Sequence, residues 1–145
     1  MEMKLAALSI ILVVALAGCT QAGSGKPSDT VRAAIEATAA LDYDKFLTYM
    51  TAELAAQSAG LKPGFDQLKQ AGVTMHLNKF NVLNEQASND TARVDFEYEI
   101  TATYNGKTQD TGLKTSYATL KKENGAWKID GPAAGIVGSG NNTGN

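Results

Sequence analysis

The sequence predicts an α+β fold in which helices come first and a bent antiparallel meander of about four strands packs beneath them. Residues 31–39 repeat apolar or small side chains at helical spacing, and residues 91–104 alternate apolar and polar side chains seven times. Asn105 and Gly106 follow at once, and this dipeptide favours a two-residue hairpin turn. Helices laid on one face of an antiparallel sheet would bury both apolar surfaces.

Four helical segments are predicted, each bounded by a residue that favours a helix end. A capping side chain accepts a hydrogen bond from a free amide of the first turn, and glycine lets the chain leave a helix. The second of these segments carries Phe46, and Phe65 and Leu68 lie on one side of the fourth. The boundary residues are Ser28 or Asp29 for the first helix, Asp42 for the second, Thr51 for the third, and Pro63 and Gly72 for the start and end of the fourth.

The strands that flank the hairpin are less regular than the strand at 91–104. Apolar side chains change parity between residues 77 and 80, which predicts a bulge near Asn78 that bends the first strand. Residues 122–125 form the turn of a last hairpin, and Trp127 and Ile129 lie beyond it on the apolar face.

The register of the central hairpin follows from its turn. A two-residue loop at 105–106 pairs Glu97 with Lys114, and it pairs Val94 with Tyr117 on the buried face. In this register the apolar side chain of Leu120 would lie on the opposite face from Tyr117, away from the core. Either Gly112 marks a second bulge or the register is off by one residue.

Composition excludes several classes of protein. The chain has 145 residues, of which 43% are hydrophobic, and a net charge of −2, which suits one globular domain. Nucleic-acid binding requires clustered lysine and arginine, which this acidic chain lacks. One cysteine and one histidine exclude an intramolecular disulfide framework, a multi-cysteine zinc site and a paired-histidine metal site, and we expect no cofactor.

Residues 1–18 have the features of a secretion leader. Thirteen residues, 5–17, carry no charge, whereas a membrane-spanning helix needs about 20 apolar residues. Leu16–Cys19 resembles the lipobox of prokaryotic lipoproteins, which implies cleavage before Cys19 and lipid attachment to its thiol. We therefore expect a lipid-anchored, extracytoplasmic protein of the cell envelope. Residues 19–27 would form a flexible tether, 28–132 the folded domain, and 133–145 a disordered tail rich in glycine and asparagine.

Three segments resemble small members of the nuclear transport factor 2-like superfamily, the cystatin-like α+β cone. They are the helix break at residues 39–47, the long strand pair around residues 105–106, and the closing hairpin at 120–130. The resemblance covers about residues 28–131. It implies a pocket between the helices and the concave face of the sheet, and homodimerisation through the open sheet face. Small prokaryotic lipoproteins of unassigned function share this layout.

Eight aromatic side chains are candidates either to line such a pocket or to fill the core. Aromatic residues carry a large apolar surface, and the tyrosine hydroxyls would orient a bound molecule. The candidates are Tyr43, Phe46, Tyr49, Phe80, Phe96, Tyr98, Tyr117 and Trp127.

Catalysis in this superfamily is exemplified by ketosteroid isomerase and scytalone dehydratase, which place carboxylate, tyrosine or histidine groups inside the cone. The carboxylates at 95, 97 and 99 alternate outward, Asp42 and Asp44 suit helix capping, and His76 has the outward parity. No catalytic residue is therefore predicted. The weak N-glycosylation patterns at Asn89 and Asn141 matter only in a host that glycosylates its surface proteins.

These observations favour a non-catalytic domain that binds a small apolar ligand or an envelope protein partner. Two alternatives remain. One is an enzyme of the isomerase or dehydratase type that uses the cone, which requires a carboxylate or His76 to point inward. The other is a structural envelope subunit whose cone is filled.

Overall fold

Helices occupy the first half of the described chain and an antiparallel sheet the second, as the sequence predicts. The computed structural model describes residues 25–131. The predicted leader, Cys19, the tail and Asn141 lie outside the described residues. The elements are α1 Pro27–Ala39, α2 Tyr43–Thr48, α3 Ala52–Gln57, a 3₁₀ turn Ser58–Leu61, α4 Lys62–Gln70, β1 Thr74–Ala87, β2 Thr91–Tyr104, β3 Lys107–Asp110, β4 Lys114–Glu123 and β5 Ala126–Gly131.

The sheet has five strands, because the predicted third strand is divided in two. The strand order is β1-β2-β4-β5, and β3 pairs with the far end of β2. Residues 111–113 separate β3 from β4, and Gly112 adopts a φ of 68°, a left-handed conformation that favours glycine.

The predicted hairpin register holds for β3 and fails for β4. Tyr104 pairs with Lys107 as the two-residue turn requires, but from residue 114 onward the pairing is shifted by one residue. The predicted pairs of Glu97 with Lys114 and of Val94 with Tyr117 are therefore wrong. The alternative of a bulge at Gly112 is confirmed, since an extra residue there moves every later side chain to the other face.

The first strand contains two register shifts. The shift between Leu77 and Lys79 confirms the bulge predicted near Asn78. A second shift, between Val82 and Asn84, was not predicted. Val82 belongs by parity to the apolar set, yet its side chain is 43% exposed on this edge strand.

The core lies between α1 and the inner face of the sheet, which is the face that carries Val94 and Phe96. The apolar stripe of α1 is fully buried against this face at Val31, Ala34 and Ile35. Burial of such side chains supplies the main favourable free energy of folding. β2 contributes five inward side chains that are at least nine-tenths buried: Ala92, Val94, Phe96, Tyr98 and Ile100.

The start of α1 is fixed by a residue from the sheet. The N-cap residue is Lys26, rather than Ser28 or Asp29. The amide of Ser28 donates to the Glu85 carboxylate at 2.9 Å, and the amide of Lys26 donates to Asp29 at 3.0 Å. Sequence inspection missed Glu85, because a cap supplied from 57 residues away has no local signature.

The other helix ends follow the predicted chemistry. Asp42 accepts from the amide of Lys45 at 3.0 Å, and Thr51 accepts from the amide of Leu54 at 3.3 Å. The chain turns away from the end of α4 at Gly72, which has a φ of 72°, a left-handed conformation that favours glycine. Within residues 25–131 no helix is long and apolar enough to cross a membrane.

The two edges of the sheet differ. The outer edge of β5 is covered, because Ile129 donates to the carbonyl of Tyr49 and accepts from the amide of Thr51. The other edge is β1, and its two bulges and Lys79 are features that discourage pairing with another strand.

Replacement of Phe96 by alanine tests the core. Phe96 is completely buried, so Phe96→Ala should lower the free energy of unfolding by about 3–5 kcal/mol. Urea denaturation followed by circular dichroism measures this loss. Tyr104→Ala is the matched control, since that ring is half exposed, and an equal loss in both variants would contradict the assignment of the core.

The long-range cap gives a second prediction. Glu85→Ala removes the acceptor of the Ser28 amide and should cost about 0.5–2 kcal/mol of stability, the usual range for a lost helix cap. Glu85→Gln keeps an acceptor oxygen and should cost less. Gln86→Ala, at the exposed neighbouring position, should leave the urea midpoint unchanged; equal midpoints for Glu85→Ala and Gln86→Ala would refute the cap.

Candidate functional site

Aromatic rings pack against one another on the inner side of the sheet, where the resemblance implies a pocket. Phe65 of α4 packs on Tyr43 and Phe46, with ring centroids 5.4 and 5.6 Å apart. Phe96 packs on Phe80 and Tyr98 at 5.5 and 5.8 Å. These are the distances of rings in direct contact. The interior formed by these six rings is called the aromatic interior below.

Seven of the eight predicted aromatic candidates lie on the core side of the sheet. Tyr49 and Trp127 are buried there together with the rings of the aromatic interior. The hydroxyl of Tyr43 donates to the carbonyl of Ser58 at 3.1 Å, and burial raises the pKa of Tyr98. Phe65 was not among the predicted candidates, although it touches two of them.

Tyr117 lies on the opposite face of the sheet. The shift at Gly112 pairs it with Asp95, and its ring is 40% exposed. The guanidinium of Arg93 stacks on this ring, 4.0 Å from the centroid. Tyr117 therefore does not line the cone, and its placement there by the sequence was wrong.

Three asparagines on β1 face three carboxylates on the outer face of β2. Their side-chain amides donate from Asn78 to Glu99 at 3.4 Å, from Asn81 to Glu97 at 2.7 Å, and from Asn84 to Asp95 at 3.4 Å. The asparagines repeat every three residues and the carboxylates every two. The two β1 bulges absorb the difference, since each inserts one extra residue opposite β2.

Cations complete this outer polar network. Lys79 pairs with Glu97 at 3.1 Å and Arg93 with Asp95 at 2.8 Å. Hydrogen bonds from Arg93 hold the pKa of Asp95 below its usual value, and those from Asn81 and Lys79 do the same for Glu97. Burying this face in a dimer would require desolvating these charges, which argues against the homodimerisation through the open sheet face that the resemblance implies.

The titratable side chains that an isomerase or dehydratase would use do not belong to the aromatic interior. His76 and Asp44 are exposed, and Asp42 serves as a helix cap. Glu85 is a carboxylate on the inner face, but it is bonded to the start of α1. In the described residues no group of three or more histidine, cysteine, aspartate or glutamate side chains is placed to hold a metal ion. Asn89 lies exposed in the turn between β1 and β2.

The surface hollows formed by residues 25–131 include three that lie outside the aromatic interior. One, of about 360 Å³, lies between α1 and β1 and includes Glu36 and His76. A second, of about 460 Å³, lies near the β1–β2 turn and includes Arg93 and Lys121. The third, of about 360 Å³, lies at the β2–β3 hairpin; it is called the hairpin hollow below and is lined by Ala102, Tyr104, Asn105, Lys107 and Gln109.

Solved structures with this arrangement share little sequence with the chain. An NTF2-like protein with a cystatin-like fold from Novosphingobium aromaticivorans is 12% identical, with a TM-score of 0.53, covering 78% of this chain and 87% of that one. The intermembrane-space region of the chloroplast protein ARC6 is 14% identical, with a TM-score of 0.56 and coverages of 72% and 89%. A SEC-C motif protein from Rhodopseudomonas palustris is 14% identical, with a TM-score of 0.55 and coverages of 75% and 78%.

At these identities the similarity concerns the fold alone, and it confirms the NTF2-like, cystatin-like architecture. A comparison with curated protein sequences gave no significant match. Residues 29–135, however, match the family described as the C-terminal domain of the anti-sigma-I factor RsgI9. Because this match spans most of the chain, the protein belongs to the family of the anti-sigma-I factor RsgI9 C-terminal domain.

Proposed function

We propose that this protein is a lipid-anchored, extracytoplasmic recognition domain without catalytic activity, and that it binds a protein partner through its outer surfaces. The proposal selects the protein partner over the small apolar ligand. The observation that carries it is the aromatic interior, in which rings from α2, α4, β1 and β2 occupy the place of a ligand.

A ligand in the cone would have to displace rings that already contact one another. Phe65 is 5% exposed and Phe46 and Phe96 are completely buried. Displacing any of them would sacrifice contacts equivalent to a large core deletion, about 3–5 kcal/mol for a phenylalanine. No buried side-chain nitrogen or oxygen in the described residues lacks a hydrogen-bond partner, so none of them awaits a ligand.

The same packing supports a role without catalysis. General acid–base chemistry requires a titratable group within hydrogen-bonding reach of a substrate. His76 and Asp44 face solvent, and the carboxylates of β2 are engaged in the outer polar network. The interior offers apolar rings in contact with one another, and the carboxylate on the inner face, Glu85, is bonded to the start of α1.

The family supports a protein as the partner. The matching family is described as the C-terminal domain of an anti-sigma-I factor, a name that denotes action on a protein. In this chain the domain follows directly after the predicted lipobox and a short tether. Attachment at Cys19 would hold the domain close to the membrane surface, because two acyl chains anchor a protein firmly.

Replacement of Cys19 tests the anchor. In a bacterial host that processes lipoproteins, the full chain should incorporate labelled palmitate and yield a mature form beginning at residue 19. Cys19→Ser removes the thiol that accepts the lipid, so the label should be lost completely. Thr20→Ser is the matched control and should keep the label; label retained by Cys19→Ser would refute lipid attachment at this residue.

Native mass spectrometry tests the choice of a protein partner over an apolar ligand. The mature chain, released from membranes in mild detergent, should show the mass of the lipidated polypeptide with no further small molecule. We expect this because the rings of the aromatic interior contact one another where a ligand would lie. A discrete excess mass that disappears on denaturation, and that Phe96→Ala alters but Tyr117→Ala does not, would instead establish a ligand in the cone.

A further inference from the structure

Of the three hollows described above, the hairpin hollow is the one whose lining contains a cation and no carboxylate. Its lining contains one cation, Lys107, two side-chain amides, Asn105 and Gln109, and no carboxylate. The chain as a whole carries a net charge of −2. A concave, positively charged site on an acidic protein attracts a negatively charged group.

The charge of this region is not neutralised from within the described chain. Within residues 25–131 no carboxylate lies within ion-pairing distance of Lys107 or of Lys114, the next cation on the same face. The nearest acidic residue in sequence is Asp110, and its carboxylate accepts from the amide of Gly112 at 2.7 Å. Asp110 pairs with Thr101, which lies on the other face of the sheet.

An exposed apolar surface accompanies this charge. Ala102 and Tyr104 continue the inward-facing row of β2 beyond Ile100, where the helices no longer cover it. Tyr104 and Leu113 are each 50% exposed, whereas Ile100 is 8% exposed. Tyrosine is enriched among the residues that contribute most to protein–protein binding.

The hollow also lies at the end of the sheet remote from the start of the domain. Glu85 of β1 is bonded to Ser28 at the start of α1, while Thr74 at the other end of β1 pairs with Thr103 beside the hairpin. The stretch of β2 that pairs with this part of β1 runs from Val94 to Thr103, nine residue steps, which corresponds to about 30 Å. A domain tethered through residues 19–27 can therefore present the hollow away from its attachment point.

We infer that the hairpin hollow is the contact point for an acidic segment of a partner protein. A carboxylate of that segment binds the Lys107 ammonium, with Asn105 and Gln109 as further hydrogen-bonding groups, and an adjacent apolar side chain packs on Tyr104. The volume of about 360 Å³ admits one or two side chains, so the hollow is the centre of a larger interface. This inference rests on the proposed function, since it names where and by what chemistry the partner is bound.

Site-specific photocrosslinking of the full chain in membranes of the native host tests whether an acidic partner segment binds the hairpin hollow. Benzoylphenylalanine replaces Gln109, which lines the hollow, or Tyr117, which lies on the outer face. The position 109 probe should give a protein adduct whose crosslinked peptide, sequenced by mass spectrometry, contains aspartate or glutamate. Its yield should fall at least tenfold in Lys107→Glu and decrease as the salt concentration rises.

Matched variants distinguish a specific contact at Lys107 from a general effect of the charge of the protein. Lys79→Glu makes the same change on the outer face and should leave the position 109 adduct within twofold of the unchanged chain. Lys107 is exposed, so Lys107→Glu should keep the urea midpoint, which shows that a lost adduct does not reflect unfolding.

Other outcomes overturn the inference in distinguishable ways. An adduct at 117 but none at 109 would refute the hollow and leave the proposed protein-binding function standing. No adduct at either position would count against both. The acidic partner would be refuted if the position 109 probe formed an adduct with lipid, with a second copy of the chain or with a peptide that lacks acidic residues. It would also be refuted if Lys107→Glu left the yield of the adduct unchanged.

Discussion

The packing of α1 on the inner face of the sheet is the contact on which the rest of the structure depends. Val31, Ala34 and Ile35 are completely buried in the core that the helix and the sheet form together. The Glu85 carboxylate fixes the start of the helix from the sheet. Helix and sheet therefore stabilise each other, and the place of every later element, including Phe65 of α4, is set relative to this pair.

Bulges decide which side chains face the core, and they mark the limit of what the sequence predicts. Helix caps and the hairpin turn are local, so Asp42, Thr51 and the Asn105–Gly106 turn were identified correctly. The bulge at Gly112 was one of two open alternatives, because glycine permits a left-handed conformation without requiring it. The resulting error placed Tyr117 in the cone, while the long-range cap by Glu85 had no local signal at all.

The candidate site was less predictable than the fold for a related physical reason. Periodicity identifies which side chains are apolar and inward, and seven of the eight aromatic candidates lie where it placed them. It does not reveal whether those rings enclose a space or fill it. That depends on α4, a short helix whose one buried residue, Phe65, contacts both Tyr43 and Phe46. Phe65, which was not among the predicted candidates, thus closes the contact between α2 and α4 inside the fold.

Because side chains occupy the interior, we expect a partner protein to bind the outside of the fold. The two faces of the sheet differ there in how many of their polar groups already have partners within the chain. On the outer face each carboxylate of β2 already has a partner within the chain, so a binding partner would have to displace internal hydrogen bonds. At the hairpin hollow Lys107 has no such internal partner among the described residues, and Tyr104 is half covered. Association is favoured where it satisfies groups that folding has left exposed, which is why the hollow is the stronger docking surface.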